Sequence, residues 1–399
     1  MSHDVIIAGG GPAGMMAGLL FARAGVPTLV LEKHGDFLRD FRGDTVHPST
    51  MEIMDQLGIL GRFLERPHDK VEGITGRVAG QDIQIADTRF LKTPSPFIAM
   101  MPQWEFLDFL RDEAETMPAF TLRMNAEVAG VTETAGRVTG VRTADGEEIA
   151  AGKLVIMADG RKSSVRKMLP VRELGAPMDI FWFGVPKERT AVNETGGIFE
   201  GGHILVTIDR GDYWQCAWVI AKGRAEQVRA EGIEAFRRRI EAAAPELGPL
   251  DTVLTSMDQP SLLSVALDRL ERWWKPGMLA IGDAAHAMSP IGGVGINLAI
   301  QDAVAAANIL AGPIAAGQAA DPLLAKVQER RMFPTRIIQA GQKAAQDNII
   351  GRLIATDVRL ERPPLALRLL KRFPLLRRIP ARLIGLGVRR ERVESPKAV

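Results

Sequence analysis

The sequence predicts an α/β fold in which a largely parallel sheet is interrupted by an inserted, mainly antiparallel sheet and followed by a basic helical tail. Three observations lead there. Residues 4–32 read as strand, glycine turn, helix and strand. Two later apolar runs, residues 153–158 and 278–281, end in Asp159-Gly160 and Gly282-Asp283. Between them, much of residues 181–264 alternates apolar and polar side chains with the period of a strand.

The first unit is the most explicit. Val5 to Ala8 form a short buried strand, GGGPAG fits G-x-G-x-x-G, residues 15–24 suit a helix that Gly25 stops, and residues 28–31 form a second buried strand ending at Glu32. Gly9 allows a tight turn, Gly11 lets backbone approach a pyrophosphate, and Gly14 lets helix and strand pack closely, with Pro12 and Ala13 inside the same turn. The helix N-terminus offers unpaired N–H groups and a partial positive charge to phosphate. Glu32, followed by Lys33, lies 18 residues after Gly14, where a carboxylate accepts from ribose hydroxyls and repels a 2′-phosphate. The unit is a Rossmann-like dinucleotide site that suits FAD or NAD better than NADP.

The run after Asp283 continues AAHAMSPIGGVGINLAIQDAVAAANILAG. Gly292, Gly293 and Gly295 strip side chains from a stretch that can then lie flat against a planar ring. A helix is expected over residues 296–310, ended by Gly312-Pro313, with its N-terminal dipole favouring negative charge on that ring.

Taken in order, GGGPAG with Glu32, ADG with Arg166, and GDAAH with P-x-G-G-x-G-x-N resemble the class A flavoprotein monooxygenases, the aromatic hydroxylases of the p-hydroxybenzoate hydroxylase fold, up to about residue 345. The resemblance implies that Asp159 and Gly160 serve FAD and a passing nicotinamide nucleotide. It places Gly282 and Asp283 at the flavin-side ribose, and Pro290, Gly293, Gly295, Ile296 and Asn297 along the isoalloxazine ring. Arg42 resembles an arginine that reaches the cofactor, the alternative being an ion pair with Asp44 or Glu52. Gln103 resembles a glutamine near the ribitol, or simply starts a helix; Met101-Pro102 stands where the family often has arginine. The implied activity is an FAD-dependent, NAD(P)H-consuming hydroxylation of a phenolic or polycyclic aromatic small molecule through a flavin C4a-hydroperoxide. No second Rossmann fingerprint appears, so NADPH or NADH is expected as a transient co-substrate. A flavin-dependent reductase of isoprenoid chains and a non-catalytic flavin-binding protein remain as alternatives. The Trp-x-Trp-x-Ile-Pro run of flavin halogenases is not matched by residues 214–220.

The expected division is a discontinuous FAD-binding domain over residues 1–70, 97–180 and 265–345, a substrate-binding domain over 71–96 and 181–264, and a basic helical segment over 346–399. The inserted sheet is expected to form an apolar lid that dries the site, followed by one helix over residues 225–244 closed by Pro245. For catalysis, His47 could take a phenol proton or make a loop hydrogen bond. Tyr213, the only tyrosine in the chain, could contact substrate or merely pack. Trp214 and Trp218 are core or pocket wall. His286 is expected to be structural, and the six histidines show no metal-ligand spacing.

The formal net charge of +2 is too small to argue for nucleic acid, but it is uneven. Residues 351–399 carry thirteen basic and four acidic side chains, a net of +9, against −7 for the rest. That tail is expected to dock on the acidic body in preference to an anionic membrane surface. Cys216 is the only cysteine, so no disulfide forms within the chain and a reducing, cytoplasmic setting is expected, as monomer or homodimer. No run of about 18 apolar residues is apparent, so no membrane span is expected.

Overall fold

The computed structural model describes residues 2–38, 45–187, 195–200, 203–347 and 362–398. At its centre β1 (His3–Ala8) pairs in parallel with β2 (Thr28–Leu31) on one side and with the strand Glu148–Met157 on the other. Met278–Ala280 and Phe120–Arg123 extend the parallel sheet outward, and Trp274–Lys275 adds an antiparallel edge. Val5, Ile6, Ile7 and Ala8 are all fully buried. A parallel strand covered on both faces requires such a run. Helix α1 (Pro12–Arg23) packs against this sheet, α2 (Pro48–Leu57) follows the segment leading out of it, and α3 (Gln103–Glu115) packs against α1.

A second sheet of seven strands runs in the order Ser261–Ser264, Met178–Pro186, Tyr213–Ala221, His203–Asp209, Gly196–Glu200, Gly73–Val78, Gln81–Asp87. Its pairs are antiparallel except Gly196–Glu200 with Gly73–Val78. The two faces do different things. Phe181, Phe183, Trp214, Cys216 and Trp218 pack with Phe236 and Ile240 of a helix laid across the sheet. Ile180, Ile204, Ala217 and Val219 form a separate cluster with Val265, and Ile291 packs against it. Trp214 and Trp218 are therefore core side chains, resolving the alternative the sequence left open. Burial pushes the Cys216 thiol up to about 12, so it is a small apolar filler there.

The single helix expected over 225–244 is two: α4 (Ala225–Ala230) and α5 (Ile233–Ala243). Gly232 between them has φ +84°, a conformation that breaks a helix and that glycine adopts without strain. Helix α6 runs Gly295–Ala315, past Gly312-Pro313. Pro313 falls in the last turn, and the chain turns off only at Gly317, φ +80°. The segment Ile291–Ala315 is apolar and long enough to cross a bilayer, contrary to the sequence expectation; yet 78% of its most apolar window is buried in the fold, where it packs against α1 and the next helix.

Helix α7 (Leu324–Ala345) packs along α6. After it, α8 (Leu365–Arg372) and α9 (Arg378–Gly385) lie on the outer strand Gln81–Asp87 of the second sheet. The described end of the chain then returns to α2 and α1: Arg390 pairs with Glu52 at 3.0 Å, and the Ala398 amide donates to the Arg23 carbonyl at 2.8 Å.

Candidate active site

The glycine turn after β1 is set by close approach. A Cβ on Gly9 (φ +102°) would lie 2.5 Å from the Ala158 carbonyl oxygen, and one on Gly14 only 1.9 Å from the Gly9 oxygen. Gly11 is different: no atom lies within 4 Å of where its Cβ would be, so the turn faces open space there. No side chain caps α1, and its first N–H groups lie beside that space. Pro12 opens the helix, and Ala13 is buried against Gly282.

Glu32 lies beside this turn, and its carboxylate is already engaged. Oε2 accepts from the Gly10 amide at 2.9 Å; Oε1 accepts from the His34 amide at 3.1 Å and lies 2.6 Å from His34 Nδ1. The sequence reading held Glu32 for ribose hydroxyls and missed His34. A ribose would join a carboxylate that also braces the turn. Lys33 is exposed, and its charge favours ionised Asp159. Burial pushes the Asp159 carboxyl up, against hydrogen bonds from the Ser163 side chain and from the Asp159 and Ser164 amides as well as the Lys33 charge, while its Oδ1 is buried with no hydrogen-bond partner. Gly160 follows with φ +81°.

The second aspartate-bearing turn meets the first. Gly282 (φ +58°) sits between Ala13 and Ala299, 3.1 Å from each at its Cβ position. Asp283 keeps 43% of its side chain exposed; crowding by protein pushes its carboxyl up, while Arg161, 3.7 Å away, pulls it down. Arg166 pairs with Asp268 and donates to the Asp283 carbonyl at 3.0 Å, so it fastens the ADG turn to the GDAAH turn.

Beneath lies a buried charge network that sequence reading missed. Asp302 Oδ2 accepts from the Gly282 amide at 3.2 Å and lies 2.5 Å from His286 Nε2. Arg331 Nε reaches Asp302 Oδ1 at 2.8 Å, and its Nη1 reaches Glu391 Oε1 at 3.2 Å. Arg330 joins Glu391 at 2.8 Å. Burial works to raise the Asp302 carboxyl, but His286 and Arg331 outweigh it and hold it below the usual carboxylate range. One signal was available: Asp302 is the only charged residue in the 21-residue helix α6.

The loop 290–296 is the open part of the site. Pro290, Ile291, Gly292, Gly293, Gly295 and Ile296 are half-buried, whereas residues 284–289 and 297–307 on either side are buried. Gly293 (φ +62°) presses on Thr45, whose Oγ1 donates to the Gly293 carbonyl at 3.1 Å. Asn297, expected along the ring, has its side chain committed to protein partners. Its Oδ1 accepts from the His47 amide at 2.8 Å and from Thr50 Oγ1 at 2.7 Å, and its Nδ2 donates to the carbonyls of Thr45 and Gly293. Both donors and both acceptor sites of the amide are used, so the side chain staples the loop to α2 and has nothing left for a ring.

His47 makes a hydrogen bond, the alternative that the sequence offered beside proton transfer. It is fully buried at the N-terminus of α2, with Nδ1 2.8 Å from the Ile384 carbonyl of α9. Burial lowers its pKa to about 4, which makes it a poor acceptor for a phenol proton. Tyr213 begins its strand opposite Pro186, half-buried, and is not among the side chains packed with Ile291. Trp182 does pack in that cluster, and its Nε1 is buried without a partner. Gln103 is the first residue of α3 and half-buried. Arg42 lies outside the described residues.

A protein family described as "FAD binding domain" matches residues 2–340. The chain is 31% identical to 6-methylpretetramide 4-monooxygenase of Streptomyces rimosus, over 98% of this chain and 94% of that protein. It is 33% identical to rifampicin monooxygenase of Streptomyces venezuelae, over 75% of this chain but 62% of that longer protein. Among solved structures it resembles p-nitrophenol 4-monooxygenase from Pseudomonas putida with a TM-score of 0.76 at 18% identity, covering 97% of this chain and 99% of that one, a likeness of fold.

Proposed function

The chain belongs to the FAD binding domain family of flavin monooxygenases, and from that premise we propose how its residues divide the work of an FAD-dependent, NAD(P)H-consuming hydroxylase of aromatic small molecules. The residues present fit FAD on their own chemistry. The space beside Gly11 and the α1 N-terminus suit a pyrophosphate, and the unpartnered Asp159 Oδ1 and the partly exposed carboxylate of Asp283 suit hydroxyl donors. Gly9, Gly14 and Gly282 hold those turns in place; Glu32 with Lys33 borders the adenosine side; Gln103 borders the chain between phosphate and ring. The half-buried backbone of Pro290, Gly293, Gly295 and Ile296 faces the ring edge, and the α6 N-terminus favours negative charge there. FAD, when bound, supplies the redox chemistry of oxygen transfer.

The substrate we propose is a polycyclic phenol held between the loop 290–296 and the inner face of the seven-stranded sheet. The observation that carries this is Ile291, which packs into the cluster of Ile180, Ala217 and Val219: glycine loop and sheet share one apolar boundary that excludes water. Trp182 Nε1 on that face offers a donor to a substrate oxygen. The relative acting on 6-methylpretetramide, aligned over 94% of its length, supports a polycyclic ring system.

The test is anaerobic addition of NADPH, and separately NADH, to the yellow protein, following loss of oxidised-flavin absorbance with and without a panel of phenols and polycyclic aromatics. Bleaching accelerated by a polycyclic phenol, with a product one oxygen heavier in air, is the expected result. No bleaching with either nucleotide under any condition overturns the reading.

A further inference from the structure

The described tail segment has two faces, and the site above uses only one. Inward, Ala381 and Gly385 are buried, Gly385 against Leu91, while Ile384 reaches the His47 ring through its carbonyl. Lys371 and Arg377 donate to Gln81 and Gln84 of the sheet's outer strand at 2.9 and 2.8 Å. Outward, Leu365, Leu369, Phe373, Leu375, Ile379 and Leu383 are 41–67% exposed. These are six of the eleven large apolar side chains exposed among the described residues, within 19 residues of chain. Solvated loops do not concentrate apolar area in this way.

Charge says what covers it. Residues 362–390 contain eight Arg and one Lys, with no Asp or Glu; Lys371, Arg377, Arg389 and Arg390 bond to the body, and Arg362, Arg368, Arg372, Arg378 and Arg382 stay exposed. The cations interleave with the exposed apolar side chains: Leu365, Leu369, Arg368, Lys371 and Arg372 line one shallow concavity of about 530 Å³ with Gln81. Short amphipathic helices, α8 and α9, lie side by side with the strand and expose both leucines and arginines. Apolar side chains ringed by cations fit the boundary between acyl chains and anionic headgroups. A second copy meeting this face about a two-fold axis would set cations against cations.

We propose that the outer face of residues 365–383 docks the protein on an anionic membrane surface, while the inner face stays on the sheet. The inference stands apart from the substrate reading. The experiment is co-sedimentation of the flavin-loaded full chain with phosphatidylcholine vesicles, with and without phosphatidylglycerol. Binding is expected with phosphatidylglycerol only, and weakened by salt. Leu369→Gln with Phe373→Gln should abolish it, and Arg368→Gln and Arg372→Gln should each weaken it about fivefold, all with flavin content and thermal midpoint unchanged. Absence of binding, equal binding to uncharged vesicles, or full binding by the arginine variants overturns the proposal. So does a concentration-dependent dimer that Leu369→Gln dissolves, which would assign the face to a second copy of the chain.

Discussion

The region of the two aspartate turns and the seven-stranded sheet are built by opposite means. In the first, position is fixed by backbone contact and buried charge: Gly14 has no room for one more carbon, and Asp302, Arg331 and Glu391 hold one another with no exposure to solvent. In the sheet, position is fixed by volume, with Trp214, Trp218 and Phe236 filling one side and a smaller aliphatic cluster forming the other. A cofactor used unchanged in every turnover suits the first construction. A pocket whose shape sets specificity suits the second, since apolar volume can vary without breaking a hydrogen bond.

The largest effect should come from the buried network. Arg331→Leu leaves the carboxylates of Asp302 and Glu391 facing each other without their shared cation. Removing one partner of such a cluster costs about 3–5 kcal/mol. Urea unfolding should show that loss, and flavin retention should fall with it because Asp302 also holds the Gly282 amide. Flavin retention unchanged in a folded Arg331→Leu protein would separate the network from the site.

The next effect is on pH. His47 has its pKa lowered from 6.5 to about 4 by burial. Between those values the unfolded chain binds a proton that the folded chain does not, so stability is complete above 6.5 and is lost as pH falls toward 4. The share is about 3 kcal/mol. His47→Asn should lose that acid-side slope while the Asp302 contribution at lower pH persists. If the slope between 6.5 and 4 is unchanged in His47→Asn, the burial argument fails.

On the sheet side the test is Trp182→Phe. Losing one donor to a substrate oxygen costs about 1 kcal/mol, so KM should rise roughly fivefold with kcat, flavin content and thermal midpoint nearly unchanged. A fall in stability with KM intact would make Trp182 a packing residue.

What the sequence made legible follows the same division. Gly9 and Gly14 could be read because close approach and positive φ leave few residue choices, and Glu32 because its spacing follows from the strand–helix–strand unit. The end of α6 was misplaced because a proline in the last turn breaks little, and 225–244 was read as one helix because a lone glycine is the only local sign of the break at Gly232. The network joins Asp302 to residues 29 and 89 positions away; apart from one carboxylate in an apolar helix, nothing local announces it. The sequence left His47 open between two roles because the carbonyl that its ring meets, Ile384, lies 337 positions away. Tyr213 stood out by rarity, which is not a statement about place.

The smallest effect on stability is also the cleanest division between folding and binding. Gly11 has φ −73°, open to any residue, and nothing within 4 Å of its Cβ position. Gly11→Ala should therefore leave the apoprotein as stable or raise it by about 0.4–1 kcal/mol, through the unfolded chain. The same methyl group stands where we place the pyrophosphate, so FAD affinity should fall by about 1–3 kcal/mol. The two signs oppose, which no general destabilisation can imitate. Gly14→Ala, three residues on, lowers both, because its methyl group meets the Gly9 oxygen before any ligand arrives. An apoprotein of Gly11→Ala that is stable and still binds FAD at full affinity would mean the phosphates pass elsewhere along α1.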